Sequence, residues 1–227
     1  MRRRVAPIVT ATALGALVLA SAAHAAQIRV DRTCYPGTGA VPVKISGEGY
    51  AAGQAFTVLI NGGVVDSGTA DGAGNVAHEL TAPPPPETGK RAYDAEYTLE
   101  VRQGAVASST KFRTAQVFSD FNPGSGDLTT LRVRFSAFGF GIATAPGGQP
   151  PEIFVHYVDP RGKAKKTISL GRGQGACGSI RRSGKRKLFP FHPRDGTWAL
   201  QFDTQRRYVK GTALSRFVWD RLTFKVG

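Results

Sequence analysis

Apolar and polar side chains alternate with a period of two along most of this chain, in short runs set off by Gly, Asn, Asp and Pro. Phe56, Val58 and Ile60 alternate with Ala55, Thr57 and Leu59, and the run stops at Asn61-Gly62-Gly63, a strong turn signal. Val76, His78 and Leu80 follow turns at Asp71-Gly72 and Gly74-Asn75. Tyr97, Leu99 and Val101 alternate with Glu96, Thr98, Glu100 and Arg102, which predicts a strand with one wet face. Further strands are expected near 27–34, 41–46, 64–69 and 107–117. The Pro83–Pro86 run cannot donate ladder hydrogen bonds and is placed in an inter-strand loop.

A second set of strands begins near Phe118. Leu131, Val133 and Phe135 face one way and Arg132 and Arg134 the other. Ile153, Val155 and Tyr157 mark another strand, followed by Thr167–Leu170, by Trp198, Leu200 and Phe202 after the Asp195-Gly196 turn, and by Leu222, Phe224 and Val226. Ser119–Leu128 (SDFNPGSGDL) is expected to be the inter-domain turn region. No helical period persists over 12 residues, and 28 glycines with 14 prolines make the chain rich in turns. The pattern therefore predicts an all-β protein of two consecutive immunoglobulin-like β-sandwich domains, at 26–117 and 118–227.

The first 25 residues read differently. Arg2, Arg3 and Arg4 precede an apolar stretch of 13 residues, Ile8–Ala20, and then Ala23-His24-Ala25, the small-x-small pattern of a cleavage site. The stretch is shorter than the roughly 20 residues that a membrane span needs. A signal peptide at 1–25 is expected, with a secreted, extracellular or cell-wall-associated product of 202 residues and no transmembrane span. Two arginines beside an apolar stretch leave the twin-arginine route open, but its usual Phe-Leu-Lys follow-up is absent, which favours the general secretory route; a short N-terminal anchor helix is the alternative to a signal peptide.

Charge divides what remains. Residues 27–117 hold eight Lys+Arg against nine Asp+Glu, whereas residues 118–227 hold nineteen against seven, a net of +12 within a whole-chain formal charge of +14. One cluster is Arg161, Lys163, Lys165 and Lys166; the other is Arg172, Arg181, Arg182, Lys185, Arg186 and Lys187. Such a field concentrates anionic partners. Phe189-Pro190-Phe191 and Arg206-Arg207-Tyr208 interleave aromatics with the basic runs, a pattern compatible with sugar or base stacking. A face that serves only solubility has the same composition.

Cys34 and Cys177, 143 positions apart, are the two cysteines. In an oxidising compartment an even count of two predicts a disulfide, with two buried unpaired thiols as the alternative.

The first half resembles bacterial immunoglobulin-like modules through Gly47-Glu48-Gly49-Tyr50-Ala51-Ala52-Gly53-Gln54 and Thr69-Ala70-Asp71-Gly72-Ala73-Gly74-Asn75. The second half is similar to a domain of secreted actinobacterial proteins through Phe154-Val155-His156-Tyr157-Val158, Gly162-Lys163, Ser169-Leu170-Gly171, Gly175-Ala176-Cys177-Gly178 and Gly196–Asp203. The resemblance implies tandem sandwiches and export, and it carries no assigned activity, because glycines and core aromatics describe turns and packing.

Catalytic motifs are sparse. Cys177, with His156 upstream and Arg181 and Arg182 following, supplies the residue types of a cell-wall cysteine transpeptidase. The Ser-His-Gly lead-in of those enzymes is missing, since the chain reads Arg172-Gly173-Gln174-Gly175-Ala176-Cys177. His78, His156 and His192 stand alone; His156 is expected to be structural or at the surface, and His192–Gly196 to be a turn. No HExxH, EF-hand loop or Gly-x-Ser-x-Gly occurs, so no metal or cofactor is implied.

The sequence thus predicts a non-enzymatic binding or structural module of the envelope or extracellular space. Lys163, Lys165, Lys166, Arg181, Arg182, Lys185, Arg186 and Lys187 are the candidate contacts to an anionic envelope polymer, with no dedicated nucleic-acid role. A cysteine enzyme using Cys177, and a spacer that contacts envelope proteins, are the alternatives.

Overall fold

In the first half the alternation becomes eight strands: β1 (Gln27–Val30), β2 (Cys34–Pro36), β3 (Pro42–Glu48), β4 (Ala55–Ile60), β5 (Gly63–Thr69), β6 (Val76–Thr81), β7 (Asp94–Gln103) and β8 (Val106–Ala115). Seven follow in the second half: β9 (Phe118–Asn122), β10 (Arg132–Phe138), β11 (Glu152–Val158), β12 (Ala164–Arg172), β13 (Arg186–Lys187), β14 (Gly196–Asp203) and β15 (Trp219–Val226). The computed structural model describes residues 25–85 and 93–227, and no helix occurs among the described residues. The expected signal peptide, apart from Ala25, and Pro86 of the proline run lie outside the described residues.

A three-stranded sheet, β1-β3-β6, and a five-stranded one, β2-β8-β7-β4-β5, enclose the first core. Val43 and Ile45 of β3 point in while Lys44 and Ser46 point out, and Phe56, Val58, Leu99, Val101 and Phe112 complete the packing. Asn61 and Gly62 join β4 to β5 with φ of 50° and 83°, the left-handed pair that a tight hairpin demands. Gly74, at φ 80°, brings its backbone so near Tyr50 that a Cβ would lie 2.2 Å from the Tyr50 carbonyl oxygen.

The second half has a three-stranded sheet, β13-β10-β9, facing a four-stranded one, β12-β11-β14-β15. Val133, Phe135, Ile153, Val155, Tyr157, Leu188, Phe189, Trp198, Leu200 and Phe202 are buried between them. The two halves share one connectivity. With the strands lettered in chain order, each sandwich has A, B and E in one sheet and C′, C, F and G in the other, and the first adds an A′ strand, β2, parallel to β8. This is immunoglobulin-type connectivity.

Two expectations need correction. The segment 27–34 is not one strand: β1 pairs with β3, and the chain then changes sheets so that β2 pairs with β8. Asp31 fixes the crossing, since its Oδ1 accepts the Tyr35 hydroxyl at 2.7 Å and the Lys44 N–H at 3.1 Å. Nor is Ser119–Leu128 all turn. Phe118–Asn122 pairs with β10, so Gln116 and Val117 alone separate β8 from β9, and the irregular stretch begins at Pro123.

The halves also meet through side chains. Cys34 and Cys177 are disulfide-bonded and pack with Ala115 and Ile142. Tyr93 stacks on both Phe118 and Phe138, with ring centroids 4.6 and 4.3 Å away.

Candidate functional site

The second sandwich leaves most of its cations without carboxylate partners. Of its nineteen Lys and Arg, Lys165 and Arg194 form ion pairs among the described residues, both with Asp159. In the first half, five of the six described cations, Arg32, Lys44, Arg102, Lys111 and Arg113, are paired, and Arg29 is the exception. The difference lies in how the acids of the second half are used. Asp203 is buried in a polar network, and Asp220 accepts from Ser119 N and Oγ. Asp127 caps a turn through Thr129 and Thr130.

Asp159 closes the β11–β12 turn. Its Oδ1 accepts the backbone N–H groups of Arg161 and Lys163, each at 2.9 Å, and its Oδ2 takes the Arg194 guanidinium, with Lys165 Nζ 3.5 Å away. Burial pushes this carboxyl up, but the two N–H groups and the two cations outweigh burial and hold it below the usual carboxylate value.

The eight predicted contact residues do not converge on one spot. Lys165 and Lys166, on β12, line a cavity of about 450 Å³ with Phe191, His192, Arg194 and Trp198, and Lys163 lies in the turn before them. Arg181, Arg182 and Lys185 line another, also about 450 Å³, whose further lining includes Arg134, Asp120 and Tyr93. The two cavities share no lining residue. Arg186 reaches from β13 to the Ser169 carbonyl of β12 at 3.4 Å, and Lys187 pairs in register with Arg132. A larger cleft of about 660 Å³ lies where the sandwiches meet, between Arg32 and Val41 on one side and Phe140, Ile142, Phe217 and Trp219 on the other.

Tyr93 and Arg134 escaped the sequence reading for different reasons. Arg134 shows its outward direction in the alternation of β10, but nothing local ties it to Arg181 and Arg182, 47 and 48 positions on. Tyr93 belongs to the other half of the chain, and only the packing of one sandwich on the next brings it there.

Cys177 is no nucleophile. Its sulfur is bonded to Cys34 and 2 % exposed, so the cysteine-enzyme alternative has no thiolate to work with. His156 is fully buried rather than at the surface. Its Nδ1 lies 2.8 Å from Thr167 Oγ1, and its Nε2 lies 3.0 Å from both Asp203 Oδ1 and the Gln205 carbonyl. Asp203 also accepts from Gln201 Nε2 at 2.6 Å and Gln205 N at 2.8 Å. A Thr-His-Asp chain has the order of a hydrolytic triad, yet this histidine is shared with a backbone carbonyl. None of the cavities described above is lined by His156 or Thr167. The network ties the 204–218 segment down over β11 and β14.

No protein-family profile and no curated protein matches the chain. Solved structures to which the chain is similar include a tetra-tandem repeat from the extending region of a large adhesion protein, at 15 % identity and TM-score 0.28, covering 89 % of this chain and 49 % of that one. A bacterial ice-binding adhesin gives 13 % identity and TM-score 0.32, with 88 % and 63 % covered. Bovine butyrophilin gives 11 % identity and TM-score 0.31, with 89 % and 99 % covered. The chain thus spans about half to two thirds of the length of the two adhesin structures. At these TM-scores the likeness carries no functional argument, and the assignment of fold rests on strand connectivity. No helix among the described residues is long and apolar enough to cross a membrane.

Proposed function

We propose that this protein is an exported, non-enzymatic binding module of the cell envelope or extracellular space. In this reading residues 26–117 and 118–227 are its two domains, and the second contacts an anionic polymer. The carrying observation is that seventeen of nineteen cations in the second half have no carboxylate partner among the described residues. A chain that needed these charges only for its own fold would pair most of them, as the first half does for five of its six described cations. The N-terminal Arg-rich and apolar stretch supports export, and the disulfide fits an oxidising compartment.

The test is binding to a synthetic poly(glycerol phosphate) across a salt series. Contacts to a polyanion release counterions, so the logarithm of affinity falls linearly with the logarithm of salt, by about 0.7–0.9 per neutralised phosphate. Replacing Arg181, Arg182, Lys185, Arg186 and Lys187 with Gln should weaken binding and flatten the slope by up to about 4. Affinity and slope left unchanged by the five substitutions would sink the assignment. Binding to an envelope protein that ignores salt would favour a spacer instead.

A further inference from the structure

The cavity lined by Arg134 and Tyr93 is built by three separate parts of the chain. On the outer face of β13-β10-β9, register sets Phe138 opposite Phe118, Ser136 opposite Asp120 and Arg134 opposite Asn122. Their neighbours Val133, Phe135 and Ala137 are fully buried in the core, so Arg134, Ser136 and Phe138 must face outward. The return segment after β12 is pinned to the same strand: Ile180 and Ala137 exchange backbone bonds at 2.7 and 2.8 Å, and Ser183 N donates to the Phe135 carbonyl at 2.8 Å. That pinning delivers Arg181, Arg182 and Lys185 to the rim. Tyr93 arrives from the first sandwich and stacks on Phe118 and Phe138 to form an aromatic wall.

Four cations and a single carboxylate, Asp120, therefore line one concavity of about 450 Å³. Arg134 is oriented by donating Nη1 to the Ser183 carbonyl at 3.0 Å, which leaves the rest of its planar fork for a ligand. Converging guanidinium forks match a tetrahedral oxyanion, which offers several acceptor oxygens at once. The volume falls within the range of roughly 300–1,000 Å³ typical of small-molecule sites, far more than a bare anion fills. Asp120 identifies the rest of the ligand. Its Oδ1 accepts the Phe121 N–H at 2.7 Å, and its other oxygen is the one carboxylate acceptor presented to a cationic cavity that Asn122 and Ser136 also line, suited to hydroxyl donors.

The geometry points to a binding site for a phosphate ester of a sugar or polyol: phosphate held by Arg134, Arg181, Arg182 and Lys185, carrier hydroxyls by Asp120, and the carbon skeleton against Tyr93. This rests on the polyanion reading and gives it a recognised unit, either free in solution or repeated along a polymer.

The experiment is calorimetric titration of the intact, oxidised chain with glucose 1-phosphate, inorganic phosphate, galacturonate and poly(glycerol phosphate). Glucose 1-phosphate should bind saturably, more tightly than inorganic phosphate and at least tenfold more tightly than galacturonate. Arg134→Lys keeps the charge but loses the fork, and should weaken glucose 1-phosphate at least tenfold with no change in thermal melting. Asp120→Ala should tighten inorganic phosphate while abolishing the preference for the sugar ester, a ratio that a merely structural residue would not alter. Polymer binding alongside glucose 1-phosphate binding places the unit in a polymer; glucose 1-phosphate binding alone makes the ligand a soluble ester. No saturable binding of either phosphate probe, or equal affinity of Arg134→Lys and the parent chain, overturns the site. If the polymer still binds in a salt-dependent way in that case, the basic-face reading survives without the cavity. If the polymer fails as well, both fall.

Discussion

Opening the Cys34–Cys177 bond should uncouple the two sandwiches. The bond closes a loop 143 residues long, for which chain-entropy reasoning gives a stabilisation of about 5 kcal/mol, the figure that applies if both sandwiches unfold together. Reduction, or the double substitution Cys34→Ala/Cys177→Ala, is the appropriate perturbation. Serine would place hydroxyls at positions 0 % and 2 % exposed and add a desolvation cost of about 1–3 kcal/mol at each. The assay can resolve the halves, because both tryptophans, Trp198 and Trp219, lie in the second sandwich. Tryptophan emission reports that sandwich alone, and far-ultraviolet circular dichroism reports both. With the bond intact the two signals should follow a single guanidinium transition. Without it they should separate, and the midpoint of the weaker sandwich should drop by up to about 1 M at a slope of about 5 kcal/mol/M. Coincident transitions with an unmoved midpoint after reduction would show that the bond does not couple the halves.

Other substitutions probe single contacts. Asp203→Ala removes the acceptor shared by His156, Gln201 and Gln205, and thermal unfolding should show a loss of about 3 kcal/mol or more, with Asp203→Asn milder. Tyr157→Phe should leave stability unchanged or raise it by about 1 kcal/mol in denaturant unfolding, because the buried Tyr157 hydroxyl has no hydrogen-bond partner. Gly211→Ala would put a Cβ 2.2 Å from the Trp219 ring, so it should shift Trp219 emission and cost about 1–3 kcal/mol. Asp159 has a lowered native pKa, so its contribution is complete above the unfolded carboxylate value near pH 4 and disappears as pH falls through the native value. Melting curves from pH 6 down to pH 2 should therefore show Asp159→Asn losing its disadvantage at the acid end.

Legibility in the sequence followed burial. Tyr97, Leu99 and Val101, or Val133 and Phe135, could be read because one face of their strand is wet and period-two alternation survives. β11 is different: Ile153–Val158 is buried on both faces, which hides His156 among apolar neighbours. The cover over that second face is the 204–218 segment, whose polar residues give no periodic signal and which is held by backbone groups of Gln205, Val209 and Gly211. β13 is two residues, Arg186-Lys187, too short for any pattern, and it reads as part of a charge run. The basic residues themselves were plain in the sequence. Their division between two cavities was not, because it depends on which segment each strand pins beside it.

The position of the covalent cross-link also sets how this chain would respond to tension. Pulled at Ala25 and Gly227, once β1 and the C-terminal strands have left their partners, force passes from Cys34 straight to Cys177, and the backbone of 35–176 carries none of it. Only 25–33 and 178–227 can be drawn out, about 200 Å of extension at about 3.4 Å per residue, against about 690 Å for the same span with the bond open. Strands β3–β8 lie wholly inside the sheltered loop, so the first sandwich gives up only β1 with Val30, while β13–β15 peel away from the second. A pair of sandwiches becomes, under load, a short extensible tether that ends in an unyielding knot.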